Sequence, residues 1–100
     1  YAPTRQIYIG SIGEAGLRKA MALTYQLRRQ GVVAECDTVG RSVKAQMKYA
    51  NKIAARYSMI LGDTEVAEAA ADLKNMEDGT VTHVSFEQLP ALLTITQSEN

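Results

Sequence analysis

Lys44, Lys48 and Lys52 recur at four-residue steps in the run GRSVKAQMKYANKIAARYSMILGDTE, so on a helix their ammonium groups form one row. A row of point cations at one-turn spacing can follow a line of phosphates, and it equally describes a solvated face with no ligand. Gln46 and Asn51 add amides on the same helix, and amides can hydrogen-bond base edges as well as phosphates. Asp63 and Glu65 follow the apolar stretch Tyr57–Leu61. Paired carboxylates can do acid–base work or hold a hard cation, yet neither a third ligand nor a convergent base accompanies these two. A carboxylate can also accept hydrogen bonds from the amines or ring N–H groups of an unstacked base, which reads sequence as a phosphate contact cannot. A basic helix beside a sheet edge suits a single-stranded polyanion better than a small metabolite.

Other chemically suggestive groups lead to structural roles. Gly10-Ser11-Ile12-Gly13 follows a short apolar run, and glycines in that place can cradle a phosphate. The stretch GSIGEAG, however, has neither the full dinucleotide fingerprint nor a Walker lysine. Glu14 would also set a negative charge beside any phosphate at the helix start. The segment reads as a strand-to-helix turn. Cys36 and His83 are the only residues of their kinds, so neither an intramolecular disulfide nor a cysteine-based metal cluster can form. Cys36 sits in an apolar strand pattern, as a buried inert thiol does, and His83 in an alternating one, as a surface or edge residue does. No catalytic residue and no metal ligand set emerges.

The elements that must position these groups follow from pattern. Ile7–Gly10 is a first strand, and from Glu14 a helix turns Leu17, Ala20, Met21, Leu23 and Leu27 inward until Gly31 stops it. Val32–Cys36 is a second strand, and Asp37–Gly40 a turn. Ser42 is the N-cap of a second helix with Val43, Met47, Ala50 and Ala54 inward. Arg41, Lys44, Lys48, Lys52 and Arg56 face outward. Tyr57–Leu61 is a third strand and 64–71 a short helical turn. Leu73–Glu77 and Thr80–Phe86 flank Asp78-Gly79, a two-residue hairpin signal. A last helix runs through Leu92, Leu93 and Ile95. Alternating strands and helices pair the first three strands in parallel. The expected fold is α/β: a mixed, roughly five-stranded sheet, three parallel strands plus a C-terminal hairpin, packed with three or four helices.

One hundred residues, 46% hydrophobic and 22% charged, make a single folded domain over 1–100. Eleven basic residues offset eleven acidic ones, so an RNA site must be a local concentration of charge and its independent affinity weak. The longest uncharged stretches fall far short of the ~20 apolar residues of a membrane span. YAPTRQ has no apolar signal core, and Tyr1 in place of an initiator methionine reads as the start of a segment cut from a longer protein.

The central run GRSVKAQMKYANKIAARYSMILGDTEV resembles the C-terminal anticodon-binding domain of class II aminoacyl-tRNA synthetases, the histidyl type above all. It has that type's Gly-Arg-Ser, a Lys-rich helix and an apolar strand ending in Gly-Asp. LKNMEDG is similar to the family's later strand and turn, and IYIGSIGEAGLRKAMALTYQLRRQG fits its order. In related threonyl- and prolyl-type domains the anticodon loop lies across strand ends with its bases splayed against the sheet. The resemblance therefore places Ser11, Gly40 and Arg41, Glu65, and Lys74 with Asn75 around the RNA. Arg41 and Lys74 would hold phosphate or a stacked base, and Glu65 and Asn75 would read base edges. The histidyl pattern usually has an acidic residue where Asn75 stands.

By this resemblance the domain binds the anticodon loop of histidine tRNA and performs no chemistry or cofactor binding itself. ATP and magnesium would belong to a catalytic domain outside this chain, in a cytoplasmic and homodimeric parent. Two other readings stay open on the residues alone. A synthetase-like interaction or dimerisation module would leave the lysines merely solvated, and a small flavodoxin-like enzyme would need the phosphate loop that is missing.

Overall fold

The computed structural model describes residues 6–98, with side chains as far as Leu93. In chain order the elements are β1 (Ile7–Ser11), α1 (Gly13–Arg29), β2 (Ala34–Cys36), α2 (Val43–Lys52) and β3 (Tyr57–Leu61). They continue with α3 (Asp63–Glu68), β4 (Ala70–Asn75), β5 (Val81–Ser85) and α4 (Leu89–Ser98). The strands form one five-stranded sheet in the order β2-β1-β3-β4-β5. β1 is parallel to both β2 and β3, while β4 and β5 are antiparallel additions beyond β3. This is the mixed α/β sheet expected from the alternation of patterns.

Strand alternation sends side chains to two unequal layers. Ile7, Ile9, Met59, Leu61, Leu73 and Val84 face the main core, closed by Leu23 and Leu27 of α1 and Leu89 and Leu93 of α4. On the other side Tyr8, Ala50 and Ala55 are buried with Met47, Tyr49 and Ile53 packed against them. That smaller core lies under α2, which crosses back over β1 on its way from β2 to β3. Asp72, Lys74, Val81 and His83 share this second face but lie on β4 and β5, beyond the strands α2 packs on, and all four are exposed. One half of the face is therefore open.

Several boundaries differ from the sequence reading for identifiable reasons. Met21 is 45% exposed, while Gly16 and Thr24 join the buried stripe of α1. Gly16 sets this rotation, because it presses the helix onto β3 so closely that a Cβ would lie 2.1 Å from the Leu61 carbonyl oxygen. α2 ends at Lys52, and Ala54 adopts a left-handed φ of 57° and is exposed. Arg41 precedes the N-cap and Arg56 follows the helix, so the helical basic row is Lys44, Lys48 and Lys52. Ser42 does cap it, its Oγ accepting from the Ala45 N–H at 3.2 Å.

The expected two-residue hairpin is a loop over 76–80. Asn75 Oδ1 accepts from the Glu77 and Asp78 N–H groups, and the Gly79 N–H bonds back to the Asn75 carbonyl. Asp78 in turn accepts from the Thr80 N–H and hydroxyl, which hold its carboxyl below the usual range. β4 begins at Ala70, where Ala69 closes α3 in the left-handed conformation with φ 53°. The helical turn expected over 64–71 is thus α3 plus the first residues of a strand.

Candidate nucleic-acid interface

β2 is shorter than β1, pairing with Ile7, Tyr8 and Ile9 and leaving Gly10 and Ser11 without a strand on that side. The Gln46 carboxamide takes the missing place. Its Oε1 accepts from the Ser11 N–H at 2.8 Å and its Nε2 donates to the Ser11 carbonyl at 2.9 Å. The same Nε2 donates to the Arg41 carbonyl at 2.6 Å. One side chain from α2 thus extends the sheet ladder and ties the loop after β1 to the loop after β2. Gly10 makes room for it, since a Cβ there would stand 2.6 Å from Gln46 Oε1. Two sequence expectations change here. Gln46 is wholly buried and its amide fully engaged, so it does not meet bases. Ser11 is 4% exposed, and it shapes the site through backbone and position.

Arg41 is held from beneath. The buried Asp37 carboxylate accepts from the Gly40 N–H at 2.7 Å and the Arg41 N–H at 2.9 Å through Oδ2. Its Oδ1 lies 3.7 Å from Arg41 Nε, and the guanidinium sits 5.9 Å over the Tyr49 ring. Gly40 turns this loop with a φ of 77°, which favours glycine. Tyr8 lies below, edge-on to Tyr49 at 5.9 Å, its buried hydroxyl without a hydrogen-bond partner among the described residues. Burial, reinforced by the Asp37 charge against a smaller opposing effect of Arg41, pushes the Tyr8 phenol up to about 12. Half of the Arg41 side chain still faces solvent, so a positioned cation is presented at the rim.

Two cavities open at this end of the sheet. A cleft of about 410 Å³ lies between the loops after β1 and β2, with Leu17 and Val43 on its apolar side and Glu14 and Arg41 on its polar side. A second, of about 360 Å³, lies over the open half of the sheet. Met47, Ile60 and Val81 give it an apolar lining, and Glu65, Asp72 and Lys74 give it charges of both signs. Lys44 and Lys48 are exposed on α2 beside Met47 and make no salt bridge among the described residues. Arg41 thus lines the first cleft, and Lys74 and Glu65 line the second.

Two residues of the sequence-derived set carry structural duties. Glu65 is half-buried at the third position of α3, where its Oε1 accepts from the Gly62 N–H at 2.8 Å. It is a helix-capping acceptor as well as a cavity wall. Asn75 spends its carbonyl oxygen on the hairpin turn, away from the second cavity. Asp37, Tyr49 and Asp72 were not singled out by motif, and Ile12 only as part of a strand-to-helix turn. Asp37 was legible only as a turn residue, and the others become neighbours through the sheet.

Residues 6–95 match the family model of the anticodon binding domain. The chain belongs to this anticodon-binding family. Over 83 residues it is 57% identical to the histidine–tRNA ligase of Clostridium novyi (strain NT), a match that takes in 83% of this chain and 20% of that protein. Against the histidine–tRNA ligase of Clostridium kluyveri it is 46% identical over 95 residues, 95% of this chain and 23% of the relative. Apo histidyl-tRNA synthetase of S. aureus superposes with a TM-score of 0.84 at 30% identity, covering 88% of this chain and 23% of that one. The chain therefore spans about a fifth of the length of the curated relatives it matches. It is an anticodon-binding domain of histidyl-tRNA synthetase type, and tRNA binding follows from the family.

Proposed function

We propose that this domain recognises the anticodon loop of histidine tRNA and positions that tRNA for aminoacylation by a catalytic domain outside the chain. The observation that carries the reading is the pair of cavities at the strand ends, each with room for a base and combining apolar walls with charges of both signs, beside a lysine row that makes no salt bridge among the described residues. Such a surface supplies both halves of single-strand recognition: phosphate attraction and hydrogen bonding to splayed bases. Under this proposal ATP and magnesium serve only the catalytic domain, and the parent is a cytoplasmic homodimer.

The test is a titration of the chain with histidine-tRNA anticodon stem-loop and its single-base variants at one salt concentration. Neutral net charge implies weak binding, with Kd of about 10⁻⁴ to 10⁻⁶ M. The cognate loop should bind more tightly than variants. Lys48→Ala should weaken every loop alike and lower the salt slope by about one, as loss of a phosphate contact does. Equal affinity for all loops would overturn the reading in favour of a module without base recognition.

A further inference from the structure

Resting on the anticodon reading, we infer that Ile12 is a wedge that separates two consecutive anticodon bases, one in each cavity. Among the described residues Ile12 alone lines both the cleft between the β1 and β2 loops and the cavity on the open sheet half. Ile12 is 55% exposed, a large apolar residue offered to solvent on the ridge between them. The ridge is fixed. The Ile12 N–H donates to the Leu61 carbonyl at 2.8 Å, and Ser11 before it is clamped by Gln46. Gly13 after it has a φ of 81°, which turns the chain from the extended Ile12 into α1.

Both cavities fall within the volume range of small-ligand sites, about 300–1,000 Å³, so each has room for a base. Successive nucleotides joined by one phosphate can enter neighbouring cavities only if their bases come apart. Unstacked bases expose edges for hydrogen bonding, and their lost stacking must be replaced by protein surface. An exposed β-branched side chain between them meets both base faces. Apolar wedges keep base steps apart in the same way elsewhere in nucleic-acid recognition. The polar groups then divide: Arg41 and Glu14 serve one base, Lys74 and Asp72 the other.

The experiment uses the chain and three anticodon stem-loops, each with 2-aminopurine at one anticodon position, followed by anisotropy for binding and by fluorescence for unstacking. With the wild-type chain at saturation, two consecutive positions should brighten several-fold. Ile12→Ala should still bind but lose most of that rise, and Ile12→Val, which keeps the branch, should retain it. Circular dichroism confirms that the variants fold. If the wild-type chain binds and no two consecutive positions brighten, or if Ile12→Ala brightens them fully, the wedge is wrong while anticodon binding stands. If no stem-loop binds at all, the unmodified cognate loop included, the anticodon reading fails and the wedge with it.

Discussion

Replacing Gln46 by methionine keeps an unbranched side chain of similar length and deletes every hydrogen bond of the carboxamide. The Ser11 N–H and carbonyl then lose their partners at a residue that is only 4% exposed. Leaving a buried backbone group unsatisfied costs about 1–3 kcal/mol, so the pair costs about 2–6 kcal/mol. The Arg41 carbonyl is only part-buried, and water can serve it instead. Burial of an apolar side chain offsets a further ~1–2 kcal/mol of the loss. The expected net destabilisation is about 1–4 kcal/mol, a large share of the ~5–15 kcal/mol typical of a domain. Urea unfolding followed by circular dichroism should show a lower midpoint at unchanged slope. Gln46→Glu supplies a second reading of the same geometry. Its ionised form would face the Ser11 and Arg41 carbonyl oxygens, so folding raises the pKa of the introduced carboxyl. Relative to wild type the variant's deficit is then smallest below about pH 4.3, the ordinary glutamate value, and grows as pH rises through the raised one. A methionine variant within about 1 kcal/mol of wild type would refute the argument that this amide substitutes for a missing strand.

Gly16→Ala places a Cβ 2.1 Å from the Leu61 carbonyl oxygen, backbone that cannot swing aside. A loss of about 1–3 kcal/mol or more, read as a Tm lowered by at least about 4–8 °C, is expected. Tyr8, with its phenol at about 12 instead of 10.0, contributes stability that is complete below pH 10 and disappears as pH rises toward 12. That loss is about 2–3 kcal/mol. Tyr8→Phe should be nearly neutral at pH 7, because the hydroxyl has no hydrogen-bond partner among the described residues, and should abolish this part of the alkaline loss; urea midpoints between pH 9 and 12 check both. Glu65→Gln keeps an acceptor for the Gly62 N–H, so stability should hold while discrimination between anticodon loops falls by about 1–3 kcal/mol. Glu65→Ala should in addition lose about 0.5–2 kcal/mol of stability with the cap, and uniform tightening to all loops by Glu65→Gln would remove this carboxylate from the site.

Local pattern determined much of this protein. Strand and helix periods, the Ser42 cap, the Gly31 stop and the strand–helix alternation are short-range consequences of side-chain size and backbone freedom, and they carried the mixed sheet and its parallel half. The motif around Gly40-Arg41-Ser42 and the lysine row was legible for the same reason, being contiguous. Tertiary structure alone decided which way each helix rolls and which polar groups are spent inside. Helical arithmetic could not foresee that Gly16 would draw α1 onto β3 and expose Met21, because that contact is made by absence of a side chain. Gln46 carries the clearest lesson. Its type and spacing fit a helix surface, yet it is buried because β2 stops short of β1 and a buried peptide group must find a partner. Likewise Ile12 is an ordinary loop residue in sequence. It becomes the wall between two cavities only where the β1 loop, the start of α2 and the open half of the sheet converge, and no local pattern encodes that convergence.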